Sequence, residues 1–211
     1  MIFPSRESAG DTLAEHLADL TDSGCVVAGI PRGGLVVARA VAHRLRASLA
    51  VAHARKMTMP IAEETAFGAV GEDGRAVLDY AIVAGFRLSP AEIESEKNRV
   101  RGEIERRRVL YGVPPLAGQL AGKTAVLVDD GLATGLTMQA AVNDARAGGA
   151  AAVVVAVPCG SAEAVARLRP QVDRVVCPKV AQDFRAVSDY YVDFAPVTDD
   201  EVMALLARPR I

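Results

Sequence analysis

The sequence predicts an α/β fold: a parallel sheet of about five strands flanked by helices, carrying a small hood and a helical insertion. Two observations predict the sheet. Short, continuously apolar runs occur around 26–30, 49–54, 125–129, 151–158 and 174–177, the pattern of strands buried on both faces. They alternate with stretches of helical apolar spacing near 34–46, 136–147 and 162–168, and such alternation builds a parallel sheet covered by helices. A third observation, a densely charged segment between the second and third runs, predicts the insertion.

Length and composition agree. With 211 residues, 51% hydrophobic and 24% charged, the chain suits one domain over 1–211 with elaborations. The net charge of −2 gives no electrostatic footprint for nonspecific nucleic-acid binding, so nucleic acid is not an expected partner. No apolar run approaches membrane-spanning length, and Met1 to Arg6 lacks a signal peptide's apolar stretch, so a cytoplasmic protein with no membrane contact is expected. Cys25, Cys159 and Cys177 lie in or beside predicted strands without C-x-x-C spacing and read as reduced core thiols.

At the amino terminus Leu13, Leu17 and Leu20 form a helical stripe. The first strand then runs into Pro31-Arg32-Gly33-Gly34 and a helix with Val37, Val41 and Leu45 on one face. The two glycines let backbone N–H groups approach an anion, and Arg32 supplies a charged fork for it. The second run ends in Arg55-Lys56, basic residues leaving a strand's carboxyl end, from which they can reach the same crevice. A glycine-containing loop from Met57 to Arg75 follows.

Ser89-Pro90-Ala91-Glu92 combines an N-cap, a proline at the first helical position and a capping-box glutamate, so a helix is predicted from Pro90 to about Tyr111. Its basic residues, among them Lys97, Arg99, Arg106, Arg107 and Arg108, interleave with Glu92, Glu94, Glu96, Glu103 and Glu105. That pattern reads as a solvated or subunit-facing helix rather than a nucleic-acid face. Pro114-Pro115 ends it.

The segment from Ala125 to Met138 is the most informative. An apolar strand delivers Asp129 and Asp130 to its carboxyl end, where open parallel sheets bind ligands. Gly131-Leu132-Ala133-Thr134-Gly135 leads into a helix at Leu136-Thr137-Met138. A helix amino terminus flanked by Thr134 and Thr137 hydroxyls suits a phosphate. The carboxylate pair can accept hydrogen bonds from sugar hydroxyls or help hold a hydrated magnesium ion. A ribose phosphate has both features. A P-loop is excluded because no Lys follows the second glycine, and no G-x-G-x-x-G follows a predicted strand.

This segment resembles the signature of the type I phosphoribosyltransferases, an apolar strand, two acidic residues and a loop ending in Thr-Gly-x-Thr. The resemblance implies that Asp129 and Asp130 contact the ribose of phosphoribosyl pyrophosphate and that Ala133, Thr134, Gly135, Leu136 and Thr137 bind its 5′-phosphate. Leu136 stands where many members carry Gly. Arg32-Gly33-Gly34 is similar to the pyrophosphate loop of the xanthine-guanine branch, with a non-proline cis peptide expected at Arg32-Gly33, and Lys56 matches a basic pair used for pyrophosphate. Residues 57–75 resemble the family's mobile lid, within an insertion over 57–120, and Glu64 to Gly71 resembles an uncharacterised branch. By the same resemblance a hood from 1–22 and 178–211 receives the base, with Phe184 as the stacking aromatic, and the first and third strands lie side by side.

The implied activity is magnesium-dependent phosphoribosyl transfer between phosphoribosyl pyrophosphate and a nitrogen base, or the reverse, with Arg32, Lys56, Asp129 and Asp130 as the catalytic set. Oxopurine-using relatives often carry Asp where this chain has Ala133, which disfavours hypoxanthine or guanine and is in tension with the Arg-Gly-Gly loop. The alternative class is a regulator that senses phosphoribosyl pyrophosphate or a nucleotide without turnover. A homo-oligomer is left open. His16, His43 and His53 have no ligand-like spacing and read as packing or surface residues.

Overall fold

The computed structural model describes residues 2–59 and 62–207, without the side chains of 62–64. Pro60, in the expected lid, and residues 208–211, in the expected hood, lie outside the described residues, as does the side chain of Glu64.

The central sheet is parallel and five-stranded, in the order β2 (Ser48–Val51), β1 (Val26–Gly29), β6 (Thr124–Val128), β7 (Ala152–Ala156), β9 (Arg174–Val176). The first and third predicted strands are therefore neighbours, with Gly29 opposite Val128 at their carboxyl ends. Alternate residues of these strands feed two core layers. Val26, Ala28, Ala125 and Leu127 face α6 (Leu136–Ala147) and α7 (Ala162–Leu168) through Met138, Val142 and Leu168. Val27, Val126 and Val128 meet α1 (Arg6–Glu15) and α2 (Gly33–Leu45) through Leu13, Val37 and Val41. Both faces are covered, which is why the strands are apolar at successive positions rather than every second one.

Two expectations change at the edges. The second run leaves the sheet after Val51, and its continuation, with most of the expected loop, forms a separate antiparallel sheet of β3 (Arg55–Met59), β4 (Ala62–Val70) and β5 (Ala76–Leu78). Met57, Phe67 and Val70 of this sheet pack on Val100 and Ile104 of α4 (Pro90–Tyr111). Short helices α3 (Tyr80–Gly85) and α5 (Ala117–Leu120) flank α4. At the amino terminus α1 packs as a layer of the main core, and residues 3–4, together with Arg6, join it to the hood: Phe3 N–H donates to Tyr190 O (2.8 Å) and Val192 N–H to Phe3 O (2.9 Å). A two-stranded parallel pair, β8 (Cys159–Ser161) with β10 (Lys179–Ala181), supports that hood.

The predicted α4 cap forms, and a box of the same kind caps the last helix. Ser89 and Glu92 make a reciprocal capping box at α4. At α8 (Asp199–Ala207), Thr198 N–H donates to Glu201 (2.7 Å) and Glu201 N–H to Thr198 Oγ1 (3.2 Å). All three cysteines are free thiols.

The small sheet is tied to the main core by one buried carboxylate. Asp144 of α6 accepts from Glu72 N–H (2.7 Å) and Asp73 N–H (3.3 Å). Burial, with the charge of Asp73 adding to it, pushes the Asp144 carboxyl up to about 7. The folded chain therefore binds this proton more tightly than the unfolded chain between about pH 4 and 7, so this group's contribution to stability declines as pH rises through that window. His53, held neutral by burial down to about 4, contributes the opposite slope as pH falls below its ordinary value. Urea titrations of Asp144→Asn against the parent isolate the first effect. The variant's stability should lose less between pH 4 and 7, by on the order of 1 kcal/mol; parallel curves would contradict the assignment.

Candidate functional site

The carboxyl ends of β1 and β6 open onto a crevice of about 460 Å³, lined by side chains from five elements and the hood. Its floor is the acidic pair. Asp129 is enclosed, and burial together with the adjacent charge of Asp130 holds its carboxyl well above the usual range, opposed by Lys56 and Arg6. Asp129 Oδ1 accepts from Asp130 N–H (2.9 Å). Asp130 is held from three sides: Arg6 Nε donates to Oδ2 (2.8 Å), Tyr191 Oη donates to the carbonyl (2.6 Å), and the Cys159 thiol lies 3.8 Å from that carbonyl.

The loop after β1 comes so close to these acids that side chains are excluded. A Cβ on Gly33 would collide with Asp130 Oδ2, and one on Gly34 would stand 2.7 Å from Asp129 Oδ1. The Arg-Gly-Gly sequence is thus the consequence of two ligand loops sharing one crevice. The cis peptide lies one bond earlier than expected, at Pro31-Arg32.

Opposite the acids, residues 133–137 form the turn into α6. Gly135 takes φ +80°, which favours glycine, and serves as the N-cap with no side-chain capping bond. Leu136 N–H reaches Thr134 Oγ1 only at a long 3.5 Å, and the next N–H groups of the first turn are left for an external acceptor. Ser161 Oγ donates to Ala133 O (2.7 Å) and fixes the loop from beneath. Thr134 is exposed, Thr137 lines the crevice, and Leu136 is buried in the core, so its side chain does packing while its backbone starts the helix.

The remaining wall is cationic. Arg32, Arg55 and Lys56 line it as the basic motifs predict, with Thr58 of β3. Arg99 and Arg107 of α4 border it too, on a helix that is otherwise largely exposed, as the solvated reading expects. Its outward arginines do behave as expected, Arg106 pairing with Glu103 and Arg108 with Glu105. Arg6 brings the cations to six, against two acids.

The hood closes the crevice with Phe194, Pro196 and Val197. Phe184 is placed elsewhere: it stacks on Tyr190 (centroids 5.1 Å, 13°) and does not line the crevice. The aromatic that does is Phe194, whose ring lies 3.9 Å from the Arg6 guanidinium carbon. No motif marks Arg6, Arg99, Arg107 or Phe194. Only the i, i+4, i+8 register of Arg99, Glu103 and Arg107 could have put them on one face of α4.

Among the described residues no cluster of three or more His, Cys, Asp or Glu could hold a metal. Two neighbouring carboxylates remain, which suits a magnesium ion that keeps water and takes substrate oxygens rather than a protein cage.

Arg6 and Asp130 are nearly buried, their side chains 10% and 16% exposed. Arg6→Met should therefore lower stability in urea titration by about 3 kcal/mol, because Asp130 is left uncompensated. The double variant Arg6→Met/Asp130→Asn should recover part of that loss. Additive losses would show that the pair is not coupled.

Comparison with known proteins locates this architecture. The family model described as phosphoribosyl transferase domain matches residues 4–195. A Mycobacterium tuberculosis protein provisionally named a phosphoribosyl transferase is 43% identical over 207 residues; the match covers 98% of this chain and 47% of that protein, so the chain spans about half its relative's length. The crystal structure of TT1426 from Thermus thermophilus superposes with a TM-score of 0.77 at 44% identity, covering 98% of each chain. A purine phosphoribosyltransferase from Pyrococcus horikoshii shares the fold at 17% identity and a TM-score of 0.50, over 92% of each chain.

Proposed function

Because the chain belongs to the phosphoribosyl transferase domain family, we propose that it transfers a phosphoribosyl group from phosphoribosyl pyrophosphate to a nitrogen base, or runs the reverse reaction. The observation that carries this reading is the order of chemistries along one crevice: a helix amino terminus for the 5′-phosphate, paired acids for the ribose, and a cationic wall for the leaving pyrophosphate.

In this reading the N–H groups of residues 135–137 and the Thr134 and Thr137 hydroxyls hold the 5′-phosphate. Asp129 and Asp130 fix the sugar's hydroxyls, so that the anomeric carbon faces the hood. Breaking the bond to pyrophosphate builds positive charge on the sugar ring and negative charge on the leaving group. The carboxylates lie on the side of the first, and Arg32 and Lys56 on the side of the second, where fixed charges in a partly enclosed site act most strongly. Asp129 and Asp130 would hold magnesium through water; when bound, the ion neutralises pyrophosphate charge. The acceptor enters beside Phe194, Pro196 and Val197. Ala133 contributes no proton-handling group, which supports an acceptor other than hypoxanthine or guanine. The free thiols of Cys25, Cys159 and Cys177 support a reducing, cytoplasmic setting.

The test is pyrophosphate release from magnesium phosphoribosyl pyrophosphate across a panel of purine, pyrimidine and other nitrogen acceptors. Acceptor-dependent release is expected. Tight donor binding without release for any acceptor would instead favour a sensor of the same ligand. Thr137→Val should weaken ribose 5-phosphate binding by about tenfold in calorimetry, since it removes a donor to a charged group. An unchanged constant would take Thr137 out of the phosphate site.

A further inference from the structure

Among the described residues, none of the hood segment 178–191 lines the crevice, yet part of this segment presses on the crevice floor from behind. The floor there is Asp130-Gly131-Leu132-Ala133, which joins the acid pair to the turn into α6. The Tyr191 hydroxyl donates to Asp130 O (2.6 Å). Burial, with the charge of Asp130 adding to it, pushes that hydroxyl above its ordinary value, so it stays a donor. One residue on, the short 3-10 helix Val187–Tyr190 comes so close that a Cβ on Gly131 would stand 2.5 Å from Val187 Cγ1. The three atoms nearest to that Cβ all belong to Val187.

The rest of the loop is held from β8. Leu132 N–H donates to Cys159 O (2.9 Å), Ser161 N–H to Leu132 O (2.8 Å) and Ser161 Oγ to Ala133 O (2.7 Å). Behind both supports lies one apolar cluster, in which Phe3, Cys159 and Tyr191 are buried and against which Phe184, Val187 and Tyr190 pack. Each of residues 130–133 is thus bonded or packed from behind by elements outside the crevice. A side chain in a binding site keeps its aim only when its backbone is fixed, and a displacement of about 1 Å is enough to cost binding or rate.

We propose that Tyr191 and Val187 are positioning residues for the sugar half of the site: acting through the backbone of Asp130 and Gly131, they aim the Asp130 carboxylate at a ribose hydroxyl. The inference deepens the phosphoribosyl reading and rests on it for the identity of the sugar phosphate. The hood then divides by task. Residues 187–191 serve the donor's sugar from behind, while Phe194, Pro196 and Val197 border the space left for the acceptor. Phe184, stacked on Tyr190, belongs to the first part.

Titration calorimetry of the intact chain with ribose 5-phosphate, and separately with inorganic pyrophosphate, tests this. Tyr191→Phe keeps the ring and loses only the hydroxyl. It should weaken ribose 5-phosphate by about fivefold, the worth of one ordinary hydrogen bond, while pyrophosphate stays within about twofold because Arg32 and Lys56 stand on the other wall. Gly131→Ala should weaken ribose 5-phosphate by about tenfold by pushing the floor off Val187. Adding Val187→Ala to it makes room and should bring binding back to within about threefold of the parent. A methyl group that simply blocked the ligand could not be rescued from behind. Val192→Ala, exposed beside Tyr191, should bind both probes as the parent does. Parent-like ribose 5-phosphate binding in Tyr191→Phe would overturn the proposal, as would Gly131→Ala without rescue, or equal losses for both probes. Its failure is separable from that of the functional reading. Acceptor-dependent release with ribose 5-phosphate binding indifferent to Tyr191 and Val187 removes only the positioning role. Binding that follows the expected losses and rescue, with no release for any acceptor, removes only the transferase.

Discussion

The ion pair between Arg6 and Asp130 joins three parts of the chain. Arg6 opens α1, Asp130 follows the carboxyl end of β6, and the same guanidinium donates to Ala195 O (2.9 Å) and lies over Phe194 in the hood. The pair works only because β1 and β6 are adjacent and because Gly33 leaves room beside Asp130. Two carboxylates side by side repel each other, and enclosing them adds a desolvation cost. Arg6 offsets part of that cost for Asp130, while Asp129 takes the rest as a raised proton affinity. The acids, the hood and the loop after β1 are thereby set by one contact.

Around that contact the fold separates opposite charges. Acids sit at the floor between β1 and β6, and cations on the wall made by β3, α4 and the Arg32 loop. Such separation costs stability in the unliganded protein, since like charges face one another along the wall. It is a common feature of sites organised for charge that develops or arrives with the ligand. The second sheet and α4, which in outline are additions to the central sheet, serve to carry four of the six cations.

The central sheet was legible because strands buried on both faces read as unbroken apolar runs, and Val126-Leu127-Val128 followed by Asp129-Asp130 marks both a strand and its functional end. The α4 boundaries were legible from Ser89, Pro90 and Glu92, whose capping geometry is local. What escaped is nonlocal. Arg6 lies 124 residues from Asp130, and nothing near it distinguishes it from a solvated arginine. Phe184 and Phe194 belong to one aromatic segment, and only packing decides that Phe184 stacks on Tyr190 while Phe194 reaches the crevice. The antiparallel sheet was hidden by glycines at 68, 71 and 74, which signal a loop when read locally. On α4, charge alternation looks the same for a helix solvated along its length as for one whose Arg99 and Arg107 border a crevice.

In the proposed function one crevice holds a ribose phosphate between the 133–137 turn and the acidic pair. A crystal structure with ribose 5-phosphate bound measures this most directly. The phosphate is expected on the N–H groups at the start of α6, with the sugar hydroxyls on Asp129 and Asp130. A phosphate seated instead against Arg55 and Arg107, with the acids still free of the sugar, would contradict it.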